Sequence, residues 1–296
     1  PVHRRYLSWM AAFDPDMIAG LAGPLLAGYF KDKAVATGGD VSAWWMPFVI
    51  AAVIGALCLV GAILYGILEV AAKRKYTLGE AGATDKLVLS DLFSFSRSFW
   101  FITLLCVTFY AAIFPFRSFS IKYFIEAWDL TRDVAGQFNS VLPLAAMIAT
   151  PIFGLMCDKL GNRALFMIFG AITLMPVYLM MAYQVVPLTV PVVLMGIAFS
   201  LIPAVMWPSV AYIVDQPKLG TAYGLMTRIQ NCGLAGFKLI IGWSNDFWQA
   251  SATNPDGYTP GMWIFSCLGF FGMLFAFLLR RSETGPKAHG LETITA

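Results

Sequence analysis

Charge is what this 296-residue chain has least of: 12% of its residues are Asp, Glu, Lys or Arg, against 59% hydrophobic. A water-soluble domain carries about 25% charged residues, so half of the surface needed to face water is missing. A mean hydropathy of +0.72 and repeated apolar runs of ~20 residues identify the surrounding medium as lipid. One such run would be open to reading as a signal peptide; eight are not. Histidine is nearly absent, with His3 and His289 both outside the apolar runs, so the spans hold no histidine for a proton relay. No G-x-x-x-x-G-K-[ST], G-x-S-x-G or H-E-x-x-H pattern occurs, so phosphate-loop, nucleophile-elbow and zinc-protease chemistry lack their residues. The chain is read as no enzyme, with no cofactor, metal or nucleic-acid partner expected. Cys58, Cys106, Cys157, Cys232 and Cys267 fall mostly within apolar runs at no metal-ligand spacing. They read as small buried hydrophobes rather than a disulfide framework.

What is present is a succession of membrane spans, at roughly residues 8–30, 44–72, 98–125, 134–157, 163–183, 187–214, 220–246 and 260–279. Asp14-Pro15-Asp16 interrupts the first. Residues 73–97, the longest loop, combine Lys73-Arg74-Lys75 with a polar, Gly-containing stretch and read as a linker between two helical bundles. On that division residues 1–72 belong to one bundle, 98–281 form a six-helix bundle, and 282–296 are a tail. The chain opens on Pro1 and runs into His3-Arg4-Arg5, which reads as a start downstream of the true N-terminus.

Orientation comes from the loops. The faces that include 3–5, 73–97, 158–163, Lys218 and the residues from Arg280 onward hold thirteen Lys and Arg, whereas the opposite loops hold Lys31, Lys33 and Arg132, with Lys122 nearby. Cytoplasmic loops carry the Lys/Arg excess, so both ends are expected in the cytoplasm. Trp44, Trp45, Trp128, Tyr183, Trp243, Trp248 and Trp263 sit at span ends, as interfacial aromatics do. The expected setting is a bacterial inner (plasma) membrane, and the full-length protein is expected to be a monomer.

The loop between the fourth and fifth spans reads Gly154-Leu155-Met156-Cys157-Asp158-Lys159-Leu160-Gly161-Asn162-Arg163. Gly154 suits close helix approach, Asp158 suits the positive end of a helix, and Gly161 suits a tight reversal. Lys159 and Arg163 would hold the loop at the cytoplasmic surface. This G-x-x-x-D-[RK]-x-G-x-[RK] pattern resembles the signature loop of the major facilitator superfamily. The resemblance implies an all-α integral membrane fold with about eight of twelve transmembrane helices, numbered five to twelve. It also implies a gating role for Gly154, Asp158, Lys159, Gly161 and Arg163, with Asp158 and Arg163 latching the cytoplasmic side in one state. Phe114-Pro115-Phe116, Asn139-Ser140, Trp207-Pro208, Leu219-Gly220-Thr221-Ala222-Tyr223-Gly224 and Ile229-Gln230-Asn231 narrow the likeness. Together they are similar to the branch of the superfamily that includes lysosomal dipeptide transport.

Charge at bilayer depth makes a separate argument. An ionised side chain there costs roughly 2.5–3.5 kcal/mol on insertion scales, so it usually faces a bundle interior or a wet cavity. Span 98–125 holds Arg117, and span 220–246 holds Arg228 and Lys238, while spans 134–157, 163–183, 187–214 and 260–279 hold none beyond their ends. Gly224, Thr227, Arg228, Asn231, Ala235, Lys238 and Gly242 recur at three- and four-residue steps and share one helix face. Arg228 and Lys238 stand about 15 Å apart along the axis. Arg117 and Lys238 also admit a snorkelling reading, Gln230 and Asn231 a reading as interhelical hydrogen bonders, and Pro203–Pro208 a reading as a kink. The candidate substrate contacts are Arg228, Arg117, Lys238, Asn231, Tyr110 and Gln230, with Asp14, Asp16 and Glu69 as counter-charge. Cations with few carboxylate partners suit a small anionic or zwitterionic solute, a peptide or organic acid. The function expected is secondary active or facilitative transport by alternating access, with a coupling proton or ion as a further partner. A non-transporting receptor or scaffold of the same fold is the alternative.

Overall fold

The computed structural model describes residues 45–75, 95–286 and 288–293. They fall in two units. In the first, α1 (Trp45–Lys75) is a 31-residue helix, apolar around its circumference, and none of the described side chains over 52–72 is buried. A helix that is hydrophobic all round belongs in a protein core or in lipid.

The second unit is a helical bundle. Its helices are α2 (Arg97–Trp128), α3 (Arg132–Leu160), α4 (Arg163–Ala182), α5 (Thr189–Leu201), α6 (Trp207–Ile213), α7 (Leu219–Phe247) and α8 (Thr259–Glu283). Ser96 starts α2 by accepting the Phe99 N–H, a serine N-cap. Gly161, at φ 65°, supplies the left-handed residue that ends α3, where a side chain would be strained. Between α5 and α6 the chain passes through a π-helical turn, Ile202–Met206, which carries Pro203 and is followed two residues on by Pro208. Proline removes a ladder hydrogen bond, and π turns mark such breaks; the break falls in the segment expected to kink.

Among the described residues six segments are long and apolar enough to cross a membrane: 52–72, 97–128, 132–160, 163–182, 189–213 and 255–283. Eight spans were expected. Residues 8–30 lie outside the described residues, and α7 is the informative exception. Its 29 residues reach ~43 Å, ample for a ~30 Å hydrocarbon core, but its polar stripe keeps it below the hydropathy of the rest. Its length and packing are those of a span nonetheless.

α2 is the centre of the bundle, touching α7, α8 and α3, while α8 also packs along α4, and α5 lies between α3 and α4. The core where α2, α4 and α8 meet is aromatic. Phe116, Tyr178 and Phe265 interlock, with ring centroids 5.0 to 6.1 Å apart. Three buried hydroxyls find acceptors across helices: Tyr178 donates to the Ala112 carbonyl, Tyr123 to Met181 and Ser266 to Met175, each at 2.8 Å. With no water to satisfy them, such groups pin helices together at fixed register. At the opposite seam, a side chain at Gly196 on α5 would meet the Leu142 carbonyl oxygen at 2.5 Å and Ala145 at 2.6 Å, so glycine is what lets α3 and α5 approach.

Contacts between distant residues define two ends. Ser98 meets Ser282 at one; at the other Gln184 donates to Ala127, and the Trp263 indole to Tyr183. The second end is rimmed by exposed Tyr183, Trp243, Trp248 and Trp263. Cys106, Cys157, Cys232 and Cys267 are free thiols.

Candidate functional site

α7 carries three stripes. Ala222, Met226, Gln230, Ile241 and Ser244 are buried, and Gly233 belongs with them: a side chain there would meet Val107 of α2 at 2.5 Å. Leu239, Trp243 and Phe247 are exposed and apolar. Gly224, Thr227, Arg228, Asn231, Ala235, Lys238 and Gly242 are exposed and small or polar. Added side chains at Gly220, Gly224, Gly236 or Gly242 would meet nothing within 4 Å. The apolar stripe can face lipid. The polar stripe cannot do so cheaply over this length, because two cations in hydrocarbon carry the insertion penalty twice over. An open, polar face on a bundle helix is the feature expected of a wet cavity wall.

The six candidate contacts divide. Arg228, Asn231 and Lys238 share the open stripe. Gln230 does not: it is 7% exposed and its Oε1 faces the Cys106 thiol at 3.9 Å, on the seam with α2. Tyr110 and Arg117 stand on α2, both half-buried. Tyr110 stacks on Phe114 at 5.0 Å, and the Arg117 guanidinium lies 5.9 Å from the Phe114 ring centre, a cation–π geometry. Phe114 also meets Phe199 of α5 edge-on.

Two aromatics complete this cluster and were not among the candidates. The Trp207 indole donates to the Tyr110 hydroxyl at 3.1 Å. Tyr223 donates to the Trp207 carbonyl at 3.1 Å, with the rings 5.7 Å apart. Tyr110, Trp207 and Tyr223 thereby join α2, α6 and α7, and Tyr223 borders the open stripe one turn before Thr227, which bonds its carbonyl. Trp207-Pro208 and Tyr223 stood in motifs already quoted, but no spacing rule connects positions 97 residues apart.

The loop at the Ser98 end is also assembled. Arg163 is 3% exposed, its Nη2 is 3.3 Å from Asp158 Oδ1, and its guanidinium lies 4.8 Å from the Tyr212 ring centre. Gly154 is buried, Gly161 makes the reversal, and Lys159 is exposed. Asp158 does not occupy the helix terminus suggested for it; it pairs with Arg163. The carboxylate at the start of α4 belongs to Glu292, whose Oε1 accepts the Ala164 N–H at 2.8 Å. Burial pushes the Glu292 carboxyl above its ordinary value, opposed by the Ala164 hydrogen bond and the Arg280 charge. Nothing in local sequence signals a partner 128 residues away. Asp14 and Asp16 lie outside the described residues, and Glu69 sits on α1, in the other unit.

With this geometry, the likeness to known proteins is specific. The chain is 35% identical over 191 residues to a lysosomal dipeptide transporter MFSD1 from Gallus gallus, covering 64% of this chain and 43% of the relative. The Danio rerio protein of the same name is 34% identical over 184 residues, covering 62% and 40%, and the Homo sapiens one 34% over 164, covering 55% and 35%. The chain thus spans about two-fifths of the length of these relatives. They give no support to the expected bacterial inner membrane. The physical reason is plain: hydropathy and charge bias report that a bilayer is crossed, not which bilayer. Residues 118–293 match the model of the Major Facilitator Superfamily, and the chain belongs to that family of multi-pass membrane transporters rather than to any class of enzyme.

Proposed function

We propose that this chain forms part of a transporter that carries a small carboxylate-bearing solute, a dipeptide foremost, across the membrane by alternating access. The observation that carries the reading is the open polar stripe of α7 beside an apolar one on the same helix. Arg228 is its anion-binding group, since a guanidinium offers forked donors to a carboxylate. Lys238 stands about 15 Å further along the axis, at a distance suited to the far end of an extended ligand or to a gate. Asn231 lies between them as a neutral hydrogen-bonding group. Tyr110, Trp207 and Tyr223 line the flank and give an aromatic surface for solute side chains. The name of the relatives, which specifies dipeptides, supports the choice of substrate class.

The Lys/Arg excess at the Ser98 end supports a cytoplasmic assignment for that end. The Asp158–Arg163 pair then lies on the cytoplasmic side as a latch, and rocking of two bundles about a midplane site supplies the alternation. The test is counterflow of a labelled dipeptide into proteoliposomes of the full-length protein. Exchange that saturates and is competed by other dipeptides is the expected result. Saturable binding with no exchange would instead make the protein a receptor, and no binding at all would remove the dipeptide reading.

A further inference from the structure

α8 ends at Glu283, and the chain then turns back. Gly290 adopts φ 87°, a left-handed conformation that glycine enters without strain, and the Thr293 N–H closes the turn on the Gly290 carbonyl at 3.1 Å. The reversal leaves Leu291 with no exposed surface. It brings Glu292 to the first turn of α4 by two hydrogen bonds. Its side chain accepts the Ala164 N–H at 2.8 Å, and its carbonyl accepts the Asn162 N–H at 3.0 Å. Its second carboxylate oxygen is 3.9 Å from Arg280 on α8. Nearer α8, Glu283 accepts the His289 N–H and faces the His289 ring, both at 2.9 Å.

These contacts answer a local need. The first N–H groups of a helix have no partner within it, and Asn162 makes no side-chain cap on α4. Glu292 satisfies one of them from the far end of the bundle's sequence, at the terminus where the helix dipole favours an anion. The same short turn of α4 begins with the buried Arg163 that holds Asp158. Movement of that loop away from α8 must therefore break either the Glu292 bonds to the start of α4 or the contacts that hold Glu292 and His289 to α8.

We propose that residues 288–293 are a strap clamping the Asp158–Arg163 loop to the end of α8, and that its seating and release gate the movement of that loop. The gating half rests on the transporter reading; the clamp does not. The experiment uses the full-length protein in nanodiscs, as wild type and as Glu292→Ala, Glu292→Gln and Leu291→Asp. Two readouts are taken by mass spectrometry: hydrogen exchange over 162–166, and modification of Arg163 by phenylglyoxal. Glu292→Ala and Leu291→Asp are expected to raise both by about tenfold, the scale of a lost helix cap. Glu292→Gln is expected to stay near wild type, since its amide oxygen still accepts the Ala164 N–H. Wild-type exchange and Arg163 reactivity in both disruptive variants would overturn the clamp. Counterflow separates the halves: a several-fold change in exchange rate constant for Glu292→Ala supports gating, and an unchanged rate with an exposed loop overturns it. Absent counterflow in the wild type would overturn the transporter reading and the gating, while the exchange data still decide the clamp.

Discussion

Gly196 in the α3–α5 seam and the glycines of the open stripe of α7 do opposite things. At Gly196 a single added carbon would press on a backbone oxygen and on Ala145; the missing side chain is the space the neighbouring helix occupies. At Gly220, Gly224 and Gly242 an added carbon would meet nothing within 4 Å. Small residues pull helices together in the interior of a membrane bundle, yet on α7 they leave a surface clear beside two cations. The contrast teaches that a stripe of small residues in a membrane helix has no single meaning. What lies across from it decides.

That contrast can be broken or sharpened by experiment, and the largest effect belongs to the interior. Gly196→Leu is expected to lose ~3 kcal/mol or more through overpacking against backbone that cannot yield, read as loss of monodisperse protein or a sharp drop in thermal midpoint. Wild-type stability in that variant would mean that α3 and α5 do not approach as described. Next comes Arg228→Ala, for which dipeptide counterflow should fall by about 100-fold, the loss of a charge-assisted contact of ~2–3 kcal/mol. Its thermal midpoint and membrane insertion should be unchanged. Full-rate counterflow would end the role of Arg228 as a ligand contact.

Gly224→Leu is a finer probe. It should leave stability within about 0.5 kcal/mol, as exposed substitutions do, while slowing counterflow by roughly tenfold because it fills the stripe. A stability loss like that of Gly196→Leu would erase the distinction between the two regions. The smallest effect is expected of Tyr110→Phe, which removes the acceptor of the Trp207 indole and should cost about 1 kcal/mol in thermal unfolding. No measurable loss would mean that the aromatic cluster is held by ring packing alone.

How far the sequence could be read differs between these regions in the same way. The helices from α2 to α8 follow the expected spans to within a few residues, because each is specified by its own apolar run and its own breakers. Pro203 and Pro208 announced the π-helical break, and Gly161 the reversal. The stripe on α7 was legible for a similar reason: helical periodicity alone puts Gly224, Arg228, Asn231, Ala235, Lys238 and Gly242 on one face. Gln230, one position away from Asn231, shows the limit of that reading, since a rotation of 100° sends it to the seam with α2, where the neighbour is Cys106.

By itself, then, the sequence determined that the chain lives in lipid, where its helices begin and end, and which residues share a face of α7, because all of these follow from local propensity, hydropathy and a 3.6-residue period. Tertiary structure decided what each face meets. It placed Trp207 and Tyr223 beside Tyr110, buried Gln230, gave Arg163 to Asp158 and the start of α4 to Glu292. Those pairings join residues from 16 to 128 positions apart, all but Arg163–Asp158, whose separation is 5. No periodic pattern encodes contacts of that kind; they exist because helices specified one by one have to share a bundle and satisfy their buried polar groups within it.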